Sequence, residues 1–151
     1  MSDDAQARVV RPITPAQVRL LRHAVLRSFE PPEQIVYHGD DAPDTLHAGA
    51  FRGDELVGIA SVCREGMPAG REPGGWRLRG MATLPAVRGA GYGRDLLEAC
   101  FAHIRAQGGT LLWCNARVIA LGFYEHLGFV AEGEVFDISP IGPHYVMTRQ
   151  L

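Results

Sequence analysis

Three glycines at alternate positions, Gly89, Gly91 and Gly93, sit where a strand-like run ending at Thr83 gives way to a periodic helix beginning near Gly91. Such a turn makes an anion site. The first N–H groups of a helix have no partner inside it, and the helix dipole adds about half a positive charge there, so a phosphate is held without a lysine. Residues without Cβ allow positive φ and a close approach of the ligand to the main chain. A nucleotide-hydrolysing P-loop would end in Gly-Lys-Ser/Thr, whereas this turn continues Gly93-Arg94-Asp95 in a chain without lysine. A dinucleotide fingerprint would need Gly-x-Gly-x-x-Gly, and the spacing here is Gly-x-Gly-x-Gly.

The remaining pattern, Arg88-x-x-Gly91-x-Gly93, resembles the coenzyme A pyrophosphate loop of the GNAT superfamily of N-acetyltransferases. The order of parts around it is similar too. Trp76 to Thr83 reads as the strand before the loop, Tyr92 to Gln107 as the helix after it, Thr110 to Asn115 as a splayed strand, and Ala120 to Phe129 as a helix with a tyrosine, Tyr124, ahead of Gly128-Phe129. The resemblance covers about half the chain closely and the order of elements across almost all of it. It implies an acetyl-CoA-dependent N-acetyltransferase that acts by direct attack in a ternary complex, with acetyl-CoA as co-substrate and no metal. It also implies a coenzyme site made by Met81, Ala82, Thr83, Arg88, Gly89, Ala90, Gly91, Tyr92, Gly93, Arg94 and Asn115, with the main chain of Met81 to Thr83 receiving the pantetheine arm. The superfamily often has asparagine seven positions before the tyrosine, and here that place holds Arg117. A dimer is an arrangement the superfamily admits. The rival readings are a non-catalytic acyl-CoA sensor and a small-nucleotide module.

Acyl transfer from a thioester to an amine needs a neutral amine, a stabilised oxyanion and a proton for the departing thiolate. A free thiol titrates near about 8.5 and a tyrosine near about 10, so a tyrosine can protonate the thiolate usefully. The resemblance assigns that acid role to Tyr124; the plain alternative is an aromatic packed at a helix edge. With Ala116, Ala120, Phe123 and Leu127 as the buried line, Tyr124 is expected about 100° from the core face.

Acceptor residues are less defined. Strict alternation along Trp76 to Thr83 puts Arg77, Arg79, Met81 and Thr83 on one face. The two arginines either meet acids of a long loop, such as Asp40, Asp41 or Asp44, or open onto the acceptor cleft, where Arg79 would bind a substrate carboxylate. His144 could serve as a base, since histidine titrates near about 6.5, but a strand-start histidine bonded to backbone is the favoured reading. Arg88 could equally be a solvated charge at the rim. The histidines and acids show no zinc spacing.

The elements that must hold these groups follow from periodicity. Val9 to Ile13 reads as an edge strand, and Thr14-Pro15 as an N-cap and first helical residue. Val18, Leu21, Val25 and Phe29 mark a core stripe, with Arg19, Arg22 and Arg27 placed on the surface. Residues 30–44, rich in proline, glycine and aspartate, suggest a mobile loop beside the acceptor site. Leu46 to Arg52 and Leu56 to Cys63 form a hairpin about Gly53-Asp54. Leu96, Leu97, Cys100 and Ile104 form one buried helix face that stops at Gly108-Gly109, and Phe129 to Ile138 and His144 to Leu151 are the last strands. The expected fold is α/β: a GNAT-like, mostly antiparallel sheet of six to seven strands, splayed between the fourth and fifth, with about four helices on both faces.

At 151 residues the whole chain, 1–151, suits one domain, burying roughly two-thirds of its unfolded surface. A net charge of −2 offers no general attraction to nucleic acid or anionic membrane. No long apolar run and no leader pattern at Met1-Ser2-Asp3-Asp4 argue for a cytoplasmic protein. Cys63, Cys100 and Cys114 read as reduced core thiols.

Overall fold

The computed structural model describes residues 7–151, so the reading of Met1 to Asp4 lies outside the described residues. Seven strands form one sheet: Arg8–Pro12 (β1), Leu46–Arg52 (β2), Glu55–Arg64 (β3), Trp76–Thr83 (β4), Leu111–Arg117 (β5), Val130–Ile138 (β6) and Gly142–Gln150 (β7). Their order is β1-β2-β3-β4-β5-β7-β6. Among the described residues only β4 and β5 run parallel. Their connection is a βαβ crossover through helix α2 (Tyr92–Ala106).

Helix α1 (Pro15–Leu21) starts as its residues dictate: Thr14 Oγ1 accepts from the Gln17 N–H, Gln17 Oε1 accepts from the Thr14 N–H, and Pro15 occupies the first turn. It packs Val18 against Ile59 and Ala82 on one sheet face. On the other face α2 buries Leu96, Leu97, Cys100, Phe101 and Ile104, and the short α3 (Leu121–His126) adds Tyr124 to the same core. Among the described residues three α-helices, one π-type turn and several single 3₁₀ turns flank the sheet, against the expectation of about four helices. Among the described residues no helix is long and apolar enough to cross a membrane.

Two departures from regular geometry shape the centre. After α1 the chain widens into a π-type turn over Arg22–Leu26, in which the Arg27 N–H bonds the carbonyl of Arg22, five residues back. Arg22 is thereby buried completely, and Phe29 is left 55% exposed. Both reverse the sequence expectation. Within the loop over residues 30–44 Asp40 pairs with Arg22, and Ile35 is buried.

The second departure is a bulge in β4. Arg79 pairs with Ser61 and Ala82 with Ile59, so Gly80 and Met81 together face Ala60. Gly80 takes φ +63°, and a Cβ there would lie 3.0 Å from Arg22 Nε, so both the bend and the close packing require glycine. The extra residue inverts the alternation. Arg77 and Arg79 face the α1 side, whereas Met81, which touches the α2 core, and Thr83, close to Leu96, do not share their face. The four-residue face drawn from strict alternation is thus corrected to two pairs.

A candidate active site between the parted strands

Ladder pairing between β4 and β5 stops after Trp76 with Leu112 and Arg77 with Trp113. Beyond that point β4 stays with β3 and β5 stays with β7 as far as His144, because the bulge at Gly80 turns β4 away. From Leu78 to Thr83 one edge of β4 has no strand partner among the described residues. A cleft of about 670 Å³ opens in the gap, a size suited to a cofactor-sized ligand.

At one end of the cleft is the start of α2. Its N-cap, Gly91, has φ +96° and offers no side-chain cap, and the first N–H bonded within the helix is that of Asp95, to Gly91 O. Among the described residues the N–H groups of Tyr92, Gly93 and Arg94 have no main-chain acceptor. The one carboxylate of the first turn, Asp95, is held by Arg8 Nε at 2.7 Å, so it does not cap the donors. At Gly93 a Cβ would meet Phe123 Cζ at 3.0 Å and Met81 Cε at 3.3 Å, which keeps the passage to β4 free only for glycine.

In the middle lie Tyr124, Cys114 and Asn115. Tyr124 is buried against Phe123 and Phe129, each ring centroid 5.2 Å away. Burial, with the Cys114 and Cys100 thiols close by, raises its pKa well above the ordinary tyrosine value, so its hydroxyl keeps its proton. Its phase differs from the one expected. A 3₁₀ turn over Val118–Ala120 precedes α3 and resets the rotation, so Tyr124 points inward and Phe123 is 38% exposed at the cleft wall. Asn115 Oδ1 is buried without a hydrogen-bond partner, an orphan acceptor that a ligand N–H would satisfy.

The far end is made by α1's continuation, Tyr37 and the strand ends. Arg22 donates to both carboxylate oxygens of Asp40, at 2.7 and 3.0 Å, and to Ser61 Oγ at 3.0 Å. Ser61 then donates to His47 Nδ1 at 2.7 Å, and His47 Nε2–H donates to Asp40 O at 2.8 Å, closing a buried ring of bonds. Burial alone would raise the Asp40 pKa, but the Arg22 bonds and the Tyr37 N–H outweigh it and lower it. The Tyr37 ring takes Arg22 at 4.0 Å and Arg79 at 4.1 Å from its centroid. His144 is buried at the cleft wall, and its Nδ1–H donates to Gly142 O at 2.7 Å. A carbonyl only accepts, so this bond selects the tautomer whose Nε2 lone pair is free.

The cleft gathers Met81, Ala82, Thr83, Arg88, Gly89, Gly91, Tyr92, Gly93, Arg94, Asn115 and Tyr124, together with Arg79 and His144. Ala90 is the exception. Its N–H donates to Val87 O and its carbonyl accepts from Arg8, so both groups are already used outside the cleft. Arg88 and Arg94 are exposed at the rim. Sequence reasoning missed Tyr37, which lines this cavity, and Arg22, which packs against the Tyr37 ring and pairs with Asp40. The signal for Arg22 was present: it lies four residues after Val18 and three before Val25, on the core stripe.

Residues 16–129 match the Acetyltransferase (GNAT) family. The uncharacterized N-acetyltransferase YitI of Bacillus subtilis (strain 168) is 38% identical over 131 residues, covering 87% of this chain and 88% of that protein. Among solved structures, Escherichia coli ElaA superposes with a TM-score of 0.73 at 20% identity, covering 95% of this chain and 99% of that one. An aminoglycoside 6'-N-acetyltransferase complexed with coenzyme A gives 0.72 at 15%, covering 94% and 96%. These last two establish the fold, and the family match and the identity to YitI carry the assignment: the chain belongs to the GNAT family and is an N-acetyltransferase.

Proposed function

We propose that the protein transfers an acetyl group from acetyl-CoA to the amine of a small molecule or peptide by direct attack, with both substrates bound at once. The observation that carries this reading is one cleft that joins the unbonded N–H groups of α2, the unpaired edge of β4 and the Tyr124 side chain. Acetyl-CoA fits these residues. The donors of Tyr92, Gly93 and Arg94 suit its diphosphate, with Arg88 and Arg94 at the rim. The free edge of β4 suits the amides of its extended arm, in the manner of an added strand, and Asn115 Oδ1 gains a donor.

Bound acetyl-CoA supplies an acetyl group activated as a thioester. His144 Nε2 accepts the proton that the amine sheds as its N–C bond to the acetyl carbon forms, directly or through a water. Tyr124 gives its hydroxyl proton to the sulfur as the C–S bond breaks. A covalent route through Cys114 is disfavoured, because burial pushes that thiol up to about 12 and leaves almost no thiolate near neutrality.

Release of free thiol from acetyl-CoA with a mixed amine panel tests the reading, run beside thermal shift with coenzyme A, ATP and NAD. Stabilisation by coenzyme A and amine-dependent thiol release are expected. Stabilisation without release for any amine would leave the sensor reading in its place.

A further inference from the structure

Among the described residues the cleft is lined by arginine and by no carboxylate. Arg27, Arg77, Arg79, Arg88, Arg94 and Arg117 border it, and no described aspartate or glutamate does. Arg88 and Arg94 flank the glycine turn. Of the four that remain, Arg27 pairs with Glu30 and Arg77 with Glu65 at 2.9 Å. Of the loop aspartates that might have reached Arg79, Asp40 is committed to Arg22 and Asp44 to Arg64 at 2.5 Å, while Asp41 forms no ion pair with Arg79 and does not line the cleft. Among the described residues Arg79 and Arg117 have no ion-pair partner.

Arg79 is the better placed of the two. It lines the cleft with its guanidinium 4.1 Å from the centroid of the Tyr37 ring, which also takes Arg22, itself paired with Asp40. Desolvation, and then the Arg77 charge, lower its pKa. A partly desolvated guanidinium beside a second cation gains more than an exposed one from an arriving anion, and its planar fork matches a carboxylate. A polyamine or an aminoglycoside, bringing several ammonium groups, would meet like charge with no acid among the described lining residues to receive it.

We propose that the acceptor is an amine bearing a carboxylate, an amino acid or a close analogue, whose carboxylate is held by Arg79. This rests on the acetyl-transfer reading for its chemistry but not for its binding. The same cationic lining also disfavours the protonated form of the acceptor amine, which enlarges the neutral share that can attack.

The test compares amino acids with their carboxamides, their decarboxylated amines, phosphoethanolamine and spermidine, on wild-type protein and Arg79→Gln. Thiol release is followed with acetyl-CoA, and binding is followed by calorimetry on protein saturated with coenzyme A. At least one amino acid should exceed its carboxamide by about 10-fold or more in kcat/KM and in affinity. Arg79→Gln should remove most of that ratio by raising the KM of the acid, leaving the amide and the thermal shift by coenzyme A nearly unchanged. Equal use of acid and amide in the wild type, preference for spermidine or for the phosphorylated amine, or failure of every amino acid to bind would overturn the proposal. The comparison within the wild type holds even if the variant folds poorly. Arg79-dependent binding of an amino acid without thiol release would uphold this inference while sinking the transfer reading, and release with amides or polyamines alone would do the reverse.

Discussion

The Asp40 carboxylate meets the Arg22 guanidinium edge to edge, two bonds of 2.7 and 3.0 Å in a setting closed to solvent. Removing one partner strands the other charge, so Asp40→Ala should destabilise the protein by about 3–5 kcal/mol. Replacing both, as Arg22→Met with Asp40→Leu, should cost less than the single change, because no unpaired charge is left. Urea midpoints of the three variants decide it; a double variant weaker than Asp40→Ala would refute the account. The folded Asp40 pKa is depressed, so this contribution is present above about pH 4 and disappears as pH falls through the lower folded value.

The glycine turn separates strain from access. Gly89 has φ +82° with nothing within 4 Å of a built Cβ, so Gly89→Ala should cost only about 1–2 kcal/mol of backbone strain. Gly93 carries no such φ, but its Cβ would press on Phe123 and Met81 at the mouth of the cleft. Gly93→Ala should therefore keep most of its stability and lose about 10-fold or more in coenzyme A affinity. Calorimetric binding beside thermal melts distinguishes the two; equal affinity loss in both would remove the cleft argument.

The parts legible in the sequence were those that local rules decide. The Thr14 cap, the hairpin at Gly53-Asp54, the α2 stripe and the glycine turn each depend on neighbours within a few residues. What stayed hidden were single-residue shifts in phase: the π-type turn that buries Arg22, the bulge that splits Arg79 from Met81, and the 3₁₀ turn that swings Tyr124 inward. Each breaks a constant period, and period is what a pattern reading assumes. Partner choice was hidden for another reason. Arg22 with Asp40 and Arg77 with Glu65 join across the fold, where the aspartates at 40, 41 and 44 looked interchangeable.

Tyr124→Phe keeps the ring and removes only the hydroxyl. Among the described residues no protein group bonds that hydroxyl, so stability should change by less than about 1 kcal/mol. As the acid for the departing thiolate its loss should lower kcat by about 10²-fold with coenzyme A affinity held. Because the hydroxyl pKa lies above the ordinary value, the wild-type rate should show no alkaline limb from this group below about pH 10. Steady-state kinetics with thiol detection measures both, and an undiminished kcat would take Tyr124 out of the mechanism.

Cys100 and Cys114 lie inside the core, and burial pushes each thiol up to about 12, while Cys63 rises to about 11. Unfolding frees them to titrate near about 9, so above that pH the unfolded chain sheds protons that the folded chain keeps. Their stabilisation is full below about pH 9 and declines as pH climbs toward the folded values. One unit above the unfolded value the loss is about 1.4 kcal/mol for each thiol. Urea midpoints at pH 8 and pH 10 should fall accordingly, and Cys100→Ala should fall by a smaller step between the same two pH values, since one titrating group has gone. An identical step in Cys100→Ala would show that the thiols do not govern the alkaline limb.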